Sequence, residues 1–165
     1  MKRRDFVAAC LIPVASGKAS AQAAAVEWPP IELLDGNILT PESWRGQSAV
    51  VVFWETYCPY CKRHNAHVAK LYRATRGQGL RVLGVALDTD EGAVRRYMAS
   101  NNFSFPVAMD GGGLRQRVTS RRVIPMTCVL DAQGRVVQSI PGEMAEDDVL
   151  ELARISTRLK PISSR

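Results

Sequence analysis

The chain has 165 residues and a formal net charge of +6 at pH 7, and 46% of its residues are hydrophobic. A chain of this length and composition is expected to form one compact globular domain. It contains no run of 18 apolar residues, so the sequence argues against a helix that spans a membrane.

The first 21 residues are predicted to be an export signal and not part of the fold. A basic start precedes the apolar stretch Phe6–Ala15, and small residues lead up to a cleavage site after Ala21, as in secretory signals. The pair Arg3-Arg4 resembles a twin-arginine signal, with general secretion as the alternative. Cys10 raises the alternative of lipid attachment, but it lies inside the apolar stretch and not after it.

Loss of this signal changes the charge and the cysteine content of the mature chain. Four cations and one anion lie within residues 1–21, so the net charge falls from +6 to +3, and the case for a nucleic-acid partner weakens. Three cysteines remain, Cys58, Cys61 and Cys128. One close pair and one spare cysteine are not the pattern of a scaffold held by several disulfides.

The predicted elements alternate between strands and helices after a short lead-in at residues 22–30. Hydrophobic patterning and turn residues first predict two short strands around a turn at 35–37 and a helical turn after Thr40-Pro41. A buried strand at 48–55, a helix at 59–76, a buried strand at 80–88 and a helix that begins at the cap-like Thr89 follow. The rest of the chain is predicted to form an extended segment at 105–110, a short helix within 111–118, a hairpin at 125–140 and a closing helix at 145–159. Strand–helix–strand crossovers imply parallel central strands with helices on both faces. The domain is therefore placed at residues 31–160, with a tail at 161–165.

Cys58 and Cys61 form a Cys-x-x-Cys motif between a predicted buried strand and the helix that follows it. This context strongly indicates redox chemistry. A thiol at a helix N-terminus faces unpaired N–H groups and the positive end of the helix dipole, which favour the thiolate. Because the thiolate is the attacking species in disulfide exchange, Cys58 is the predicted nucleophile and Cys61 the predicted resolving thiol. Pro59 suits the first helical position.

His64 and His67 continue the spacing of the two cysteines and raise the alternative of a metal site. On a helix, each step of three residues advances about 4.5 Å along the axis. His67 would then lie roughly opposite Cys58 and about 13 Å along the helix, which is too far for both side chains to bind one ion. Lys62, not histidine, follows Cys61, so the haem-attachment motif is absent. We therefore expect no metal and no cofactor besides the Cys58–Cys61 disulfide itself.

Taken together, these segments resemble the TlpA/ResA-type exported thiol–disulfide oxidoreductases, which have a thioredoxin fold. The resemblance runs from about Trp28 to Ile155 and is carried by PPIELLDGNILTPESWRGQSAVVVFWETYCPYC, LRVLGVALDTD, FPVAMD, VIPMTCVLDAQGRVV and PGEMAEDDVLELA. It implies an α/β fold with a central mixed sheet flanked by helices and an extra N-terminal β-hairpin. It also implies that Pro125 is a cis-proline facing the dithiol, with the backbone of Ile124 offered to an incoming extended peptide.

The resemblance assigns supporting positions around the dithiol, and the chain departs from the family near it. The supporting residues are Trp54, Tyr57, Pro59 and Tyr60. Tyr57 stands where the family usually has tryptophan, and Val52 stands where thioredoxins carry a buried aspartate.

Val52 leaves open which group accepts the proton of Cys61. Water, Glu55 and His64 are the candidates. His64 stands where family members often have glutamate, and histidine can titrate near neutral pH. A histidine beside lysine and arginine on a helix can equally be a solvated surface residue.

Four cations are expected near the site, namely Lys62, Arg63, Arg121 and Arg122. They could favour the Cys58 thiolate or attract an acidic partner surface, or they could be ordinary solvated side chains. Cys128 lies in an apolar strand and is expected to behave as a small inert hydrophobe.

The resemblance implies a periplasmic enzyme that exchanges its dithiol with protein disulfides through a mixed disulfide. The reductive direction is favoured, as in periplasmic thiol reduction or cytochrome c maturation, and it would require a membrane electron donor. One alternative is a more oxidising, disulfide-forming enzyme. Another is a copper-binding metallochaperone of the same fold, although those proteins resemble Cys-x-x-x-Cys. A peroxidase is disfavoured because Glu55 stands where peroxiredoxins need threonine or serine.

Overall fold

The computed structural model describes residues 24–158, the last four of them by backbone alone. The five helices of this part are α1 (Pro41–Trp44), α2 (Pro59–Thr75), α3 (Glu91–Ser100), α4 (Leu114–Val118) and α5 (Glu146–Arg158). The seven strands are β1 (Ile31–Glu32), β2 (Ile38–Leu39), β3 (Ser48–Trp54), β4 (Leu80–Ala86), β5 (Val107–Met109), β6 (Met126–Leu130) and β7 (Val136–Pro141). The predicted export signal (1–21) and tail (161–165) lie outside the described residues.

The order and type of these elements confirm the prediction, with ends that differ by at most two residues. The predicted N-cap of α3 was wrong. Asp90, not Thr89, caps this helix, because the Asp90 carboxylate accepts a hydrogen bond from the Ala93 N–H at 3.1 Å. Aspartate is a strong N-cap because it satisfies an unpaired N–H of the first turn.

A five-stranded mixed sheet in the order β5-β4-β3-β6-β7 forms the centre of the domain. Strands β3, β4 and β5 are parallel, whereas β6 and β7 run antiparallel to their neighbours. Strands β1 and β2 form the separate N-terminal hairpin. The predicted fold, a thioredoxin-like mixed sheet with flanking helices and this extra hairpin, is confirmed.

The sheet separates two apolar clusters because successive residues of a strand point to opposite faces. Val50, Val52 and Trp54 of β3 belong to the cluster that α2, α3 and α5 cover. Val51 and Phe53 belong to the other cluster, which the N-terminal segment, α1 and α4 cover. Every residue of β3 is buried, as its continuous apolar sequence predicts.

Three chain segments meet at one edge of this sheet. The carboxyl ends of the parallel strands β3 and β4 lie there, followed by the Cys58 loop and by Asp88. Strand β6 runs the other way, so its amino end and Pro125 lie at the same edge. None of the described helices is long and apolar enough to cross a bilayer.

Candidate active site

Cys58 occupies the N-cap of α2, between the end of β3 and Pro59. Its sulfur accepts a hydrogen bond from the Cys61 N–H at 3.2 Å. Cys58 retains 8% of its surface exposed, whereas Cys61 is fully buried. A residue that keeps some exposure and whose sulfur accepts a helix N–H suits the attacking role, and the fully buried cysteine one turn later suits the resolving role.

Cys61 remains protonated through the neutral range. Burial raises the pKa of the Cys61 thiol to about 12, and the hydrogen bond and charge of Cys58 add to this rise. A backbone hydrogen bond from Glu55 opposes the rise in part. Cys61 can therefore attack only after it has lost its proton inside an apolar environment.

The Ile124–Pro125 peptide bond is cis, as predicted. Phe53 pairs with Met126, so Pro125 lies beside the end of β3 that leads to Cys58. Ile124 is partly buried and packs against the apolar cluster that contains both cysteines. The Pro125 carbonyl accepts a hydrogen bond from the Gly142 N–H at 2.8 Å, which ties this loop to the segment before α5.

The two predicted supporting tyrosines lie on the surface beside the dithiol. Tyr57 is 77% exposed and Tyr60 is 58% exposed. The Arg63 guanidinium lies 5.0 Å from the centre of the Tyr60 ring. Trp54 differs from both, because it is fully buried and packs against Tyr97 with ring centroids 5.0 Å apart. The exposed tyrosines can contact a partner, whereas Trp54 packs in the core at the start of the loop that leads to Cys58.

His64 is fully buried, so its interpretation as a solvated surface residue was wrong. Its Nδ1 accepts a hydrogen bond from the Met144 N–H at 3.3 Å, and its Nε2 lies 2.9 Å from Thr127 Oγ1. Because Nδ1 accepts, the neutral ring carries its proton on Nε2 and donates it to Thr127. Burial lowers the pKa of His64 to about 4. His64 is thus a neutral side chain that joins α2 to β6 and to the segment before α5.

We expect His64 to destabilise the protein in mild acid. Below its ordinary pKa of 6.5 the unfolded histidine binds a proton, whereas the folded one does not until about pH 4. Stability is therefore present above pH 6.5 and lost as pH falls, by about 2 kcal/mol between pH 7 and pH 5. Urea unfolding at the two pH values measures this loss, and His64→Gln should remove it.

The matched control is His67→Gln. His67 is partly exposed, and its Nδ1 lies 3.2 Å from the Met144 carbonyl oxygen. This variant should keep the loss between pH 7 and pH 5, because His64 is intact. Equal pH slopes for the wild type and His64→Gln would contradict the buried neutral assignment.

The predicted cations do not form one cluster of free charges. Arg63 makes two hydrogen bonds, of 2.7 and 2.6 Å, to the carboxylate of Glu143, and this pair adds to the link between α2 and the segment before α5. Lys62, Arg121 and Arg122 are exposed. Arg63 therefore holds structure as well as bordering Cys58.

Glu55 is partly exposed and lies close to Tyr57. Hydrogen bonding to Glu55 raises the pKa of the Tyr57 hydroxyl, and the charge of Glu55 also acts to raise the pKa of Cys61. This proximity keeps Glu55 as a candidate for proton transfer.

Cys128 lies apart from the dithiol. Cys128 is fully buried on the opposite face of the sheet, and burial raises its pKa. Within residues 24–158 there is no group of three or more histidine, cysteine, aspartate or glutamate side chains that could hold a metal ion.

Asp88 is a site residue that sequence reasoning missed. Its carboxylate accepts hydrogen bonds from the Thr56 N–H at 3.1 Å and from the Thr56 hydroxyl at 2.6 Å. Thr56 lies two residues before Cys58, so this contact fixes the loop that presents the nucleophile. A polar residue just after the carboxyl end of β4, at the edge where β3 also ends, was the available signal.

We expect Asp88→Ala to loosen this loop and to cost about 1.5–3 kcal/mol of stability, as for the loss of hydrogen bonds to a charged group. Its Cys58 should also react more slowly with a disulfide reagent. Thr56→Val should also lower the stability and slow the reaction of Cys58, but by less, because only the hydroxyl contact is removed.

Thr56→Ser is the matched control, since it keeps both donors to Asp88. Urea unfolding and the rate of disulfide attack measure the two effects. If Asp88→Ala behaves like Thr56→Ser, Asp88 does not position the loop.

Comparisons with known proteins agree with this geometry. Residues 18–155 match the family described as Redoxin. The thiol-disulfide oxidoreductase ResA of Halalkalibacterium halodurans is 30% identical over 125 residues, which are 76% of this chain and 71% of the relative. ResA of Bacillus subtilis is 28% identical and covers 70% of this chain and 65% of the relative.

Solved structures share the fold. A thiol:disulfide interchange protein from Chlorobium tepidum superposes with a TM-score of 0.73 at 23% identity, and covers 84% of this chain and 99% of its own. StoA from Bacillus subtilis gives a TM-score of 0.66 at 21% identity, and the match covers 74% of this chain and 93% of StoA.

The family match spans most of the chain, and the ResA relatives carry a named activity that the Cys58–Cys61 pair can perform. The chain therefore belongs to the Redoxin family and is a thiol–disulfide oxidoreductase of the TlpA/ResA type.

Proposed function

We propose that the protein reduces disulfides of other proteins outside the cytoplasm. The observation that carries this proposal is the unequal pair at the start of α2, with Cys58 partly accessible at the helix N-cap and Cys61 buried one turn later. This arrangement separates the thiol that meets the substrate from the thiol that completes the exchange.

The reaction has two steps. The Cys58 thiolate attacks one sulfur of a substrate disulfide, so a Cys58–substrate disulfide forms and the other substrate sulfur leaves as a thiolate. Cys61 then loses its proton and attacks Cys58, which releases the second substrate thiolate. The substrate gains two electrons, and the enzyme is left with a Cys58–Cys61 disulfide.

The substrate docks, in this proposal, over the exposed surface that surrounds Cys58. Tyr57 and Tyr60, which adjoin the Cys58–Pro59 step in the chain, are exposed, and Ile124 precedes the cis-proline. An extended peptide segment fits such a surface because its backbone can pair with the Ile124 backbone. Disulfides formed between the haem-binding cysteines of apocytochromes c are one candidate substrate class, which rests on the family resemblance.

Export and recharging complete the proposal. Residues 1–21 direct the chain to the periplasm, where an oxidising environment would convert the dithiol to a disulfide. A membrane electron donor then returns two electrons to the Cys58–Cys61 disulfide after each turnover.

The reduction potential of the Cys58–Cys61 couple tests the direction. We expect a value of about −270 mV, in the range of thioredoxin-like reductants. A value near about −120 mV would instead make the protein an oxidant. Cys58→Ser serves as the control, because it should show no reversible couple.

A further inference from the structure

Three side chains beside the dithiol bury polar atoms that no neighbour satisfies. Both amide atoms of Asn65, the hydroxyl of Tyr97 and Nε1 of Trp54 are buried without a hydrogen-bond partner among the described residues. Asn65 is itself fully buried. Buried polar groups in proteins nearly always bond to the protein or to an internal water, so this cluster requires an explanation.

The cluster lies against the resolving thiol. Asn65 follows Cys61 by four residues on α2, so the two side chains lie on the same face, one turn apart. Trp54 and Cys61 share one apolar cluster, against which Tyr97 packs. Burial raises the pKa of the Tyr97 hydroxyl to about 12, and the charges of Cys61 and Cys58 add to this rise. Tyr97 therefore lies near both cysteines.

Asn65 and Tyr97 are close enough to interact, but they cannot satisfy one another completely. The Asn65 side chain lies close enough to the Tyr97 hydroxyl to lower the pKa of Tyr97 in part, yet no hydrogen bond joins the two side chains. A direct bond between them would use only one N–H of the amide. The Asn65 carbonyl oxygen, its second N–H and the Tyr97 O–H still need partners, which is the number that one internal water commonly provides.

We propose that Asn65 and Tyr97 hold an internal water against Cys61 and that this site solvates the Cys61 thiolate while it resolves the mixed disulfide. The proposal rests on the thiol-exchange function above and extends it. Water, Asn65 N–H and Tyr97 O–H are hydrogen-bond donors, and a charged sulfur formed in an apolar core needs donors. Asn65 and Tyr97 act through the water and are positioning residues.

Of the other groups near Cys61, the Glu55 backbone hydrogen-bonds to the thiol but offsets its raised pKa only in part. Val52 is apolar and lies in β3 on the same face of the sheet as the cysteines. His64 already has its two ring nitrogens engaged with Met144 and Thr127. The protons balance, because the one that Cys61 loses is matched by the one that the departing substrate thiolate gains.

The test uses the two thiolates that the reduced protein releases from dithionitrobenzoate, recorded by stopped flow at pH 7. The first reports attack by Cys58, and the second reports resolution by Cys61. We expect Asn65→Leu and Tyr97→Phe each to slow the second release by roughly tenfold, as for a lost hydrogen bond to a charged group. The first release should stay within about twofold of the wild type, since the Cys58 environment is unchanged.

Tyr72→Phe is the matched control. Tyr72 lies on α2 and packs against the same apolar cluster, yet removal of its hydroxyl should leave both releases unchanged. Asn65→Ser should restore the second release to within about threefold of the wild type, because a small hydroxyl keeps a polar partner for the water.

Unchanged second releases in Asn65→Leu and Tyr97→Phe, with both variants folded by circular dichroism, would overturn the proposal. So would a high-resolution crystal structure of the reduced protein with no water within hydrogen-bond distance of Asn65 and Tyr97. Neither result touches the proposed function, which fails if the wild type shows no paired release or if its reduction potential is that of an oxidant.

Discussion

Cys61→Ser should convert the protein from a catalyst of turnover into a trap for its substrate. Cys58 keeps its position at the N-cap of α2, so it still attacks a substrate disulfide. The resolving sulfur is gone, and the Cys58–substrate disulfide persists. Intact mass measured without reductant should therefore show a covalent adduct of protein and substrate at close to one equivalent.

Cys58→Ser should abolish the reaction. Loss of the nucleophile is expected to lower the rate of disulfide reduction at least ~10³-fold, as for other catalytic units that act together. Cys128→Ser is the matched control, and it should retain full activity because Cys128 is buried on the opposite face of the sheet. An adduct formed by Cys58→Ser, or no adduct with Cys61→Ser, would contradict these roles.

Resolution by Cys61 should accelerate steeply with pH. Burial is the largest cause of the raised pKa of Cys61, and it persists when Cys58 is bound in a mixed disulfide. The pKa of Cys61 should therefore stay above its ordinary value of 9.0, and its thiolate fraction should increase about tenfold for each pH unit from 6 to 9. The rate of the second step should therefore rise about tenfold per unit without a plateau. The rate at which a preformed Cys58–thionitrobenzoate disulfide releases its thiolate measures this step alone.

A parallel series over the same pH range starts from the reduced protein, and its first release reports Cys58 attack as the comparison. A plateau of the second step below pH 9 would contradict a Cys61 thiol that remains protonated through neutral pH. The Tyr72→Phe variant should follow the wild-type pH profile.

Local patterns in the sequence predict most of the fold. The apolar β-branched run at 48–54 is a buried central strand, and the hairpin turn at 131–134 lies between β6 and β7. The Cys-x-x-Cys motif predicts the N-cap position of Cys58, because the proline that follows it favours the first helical residue. These features depend on neighbours in the chain, which is why they can be predicted.

The side chains around the dithiol depend on contacts that are distant in sequence. His64 adjoins two cations, Lys62 and Arg63, but α5 and the segment before it cover its face of α2. The signal was the helical spacing from Cys61 to Val68 and Leu71, which places His64 and Asn65 on the buried stripe. Neither residue is apolar, so hydrophobic periodicity alone did not predict that His64 and Asn65 are buried.

Asp88 depends on topology in the same way. It is 32 residues from Thr56, and only the parallel pairing of β3 with β4 brings the two together. Since the pairing was predicted, a search of the polar residues at the ends of both strands could have found this contact.

The central claim is that Cys58 and Cys61 form one reversible two-electron couple. Its most direct test is to equilibrate the protein in a series of thiol/disulfide buffers, block free thiols by alkylation, and determine which cysteines are linked by peptide mass analysis. We predict that Cys58 and Cys61 lose their thiols together, in one transition, with a disulfide between them, while Cys128 remains available for alkylation after unfolding. Separate transitions for the two cysteines, or a disulfide that includes Cys128, would contradict the claim.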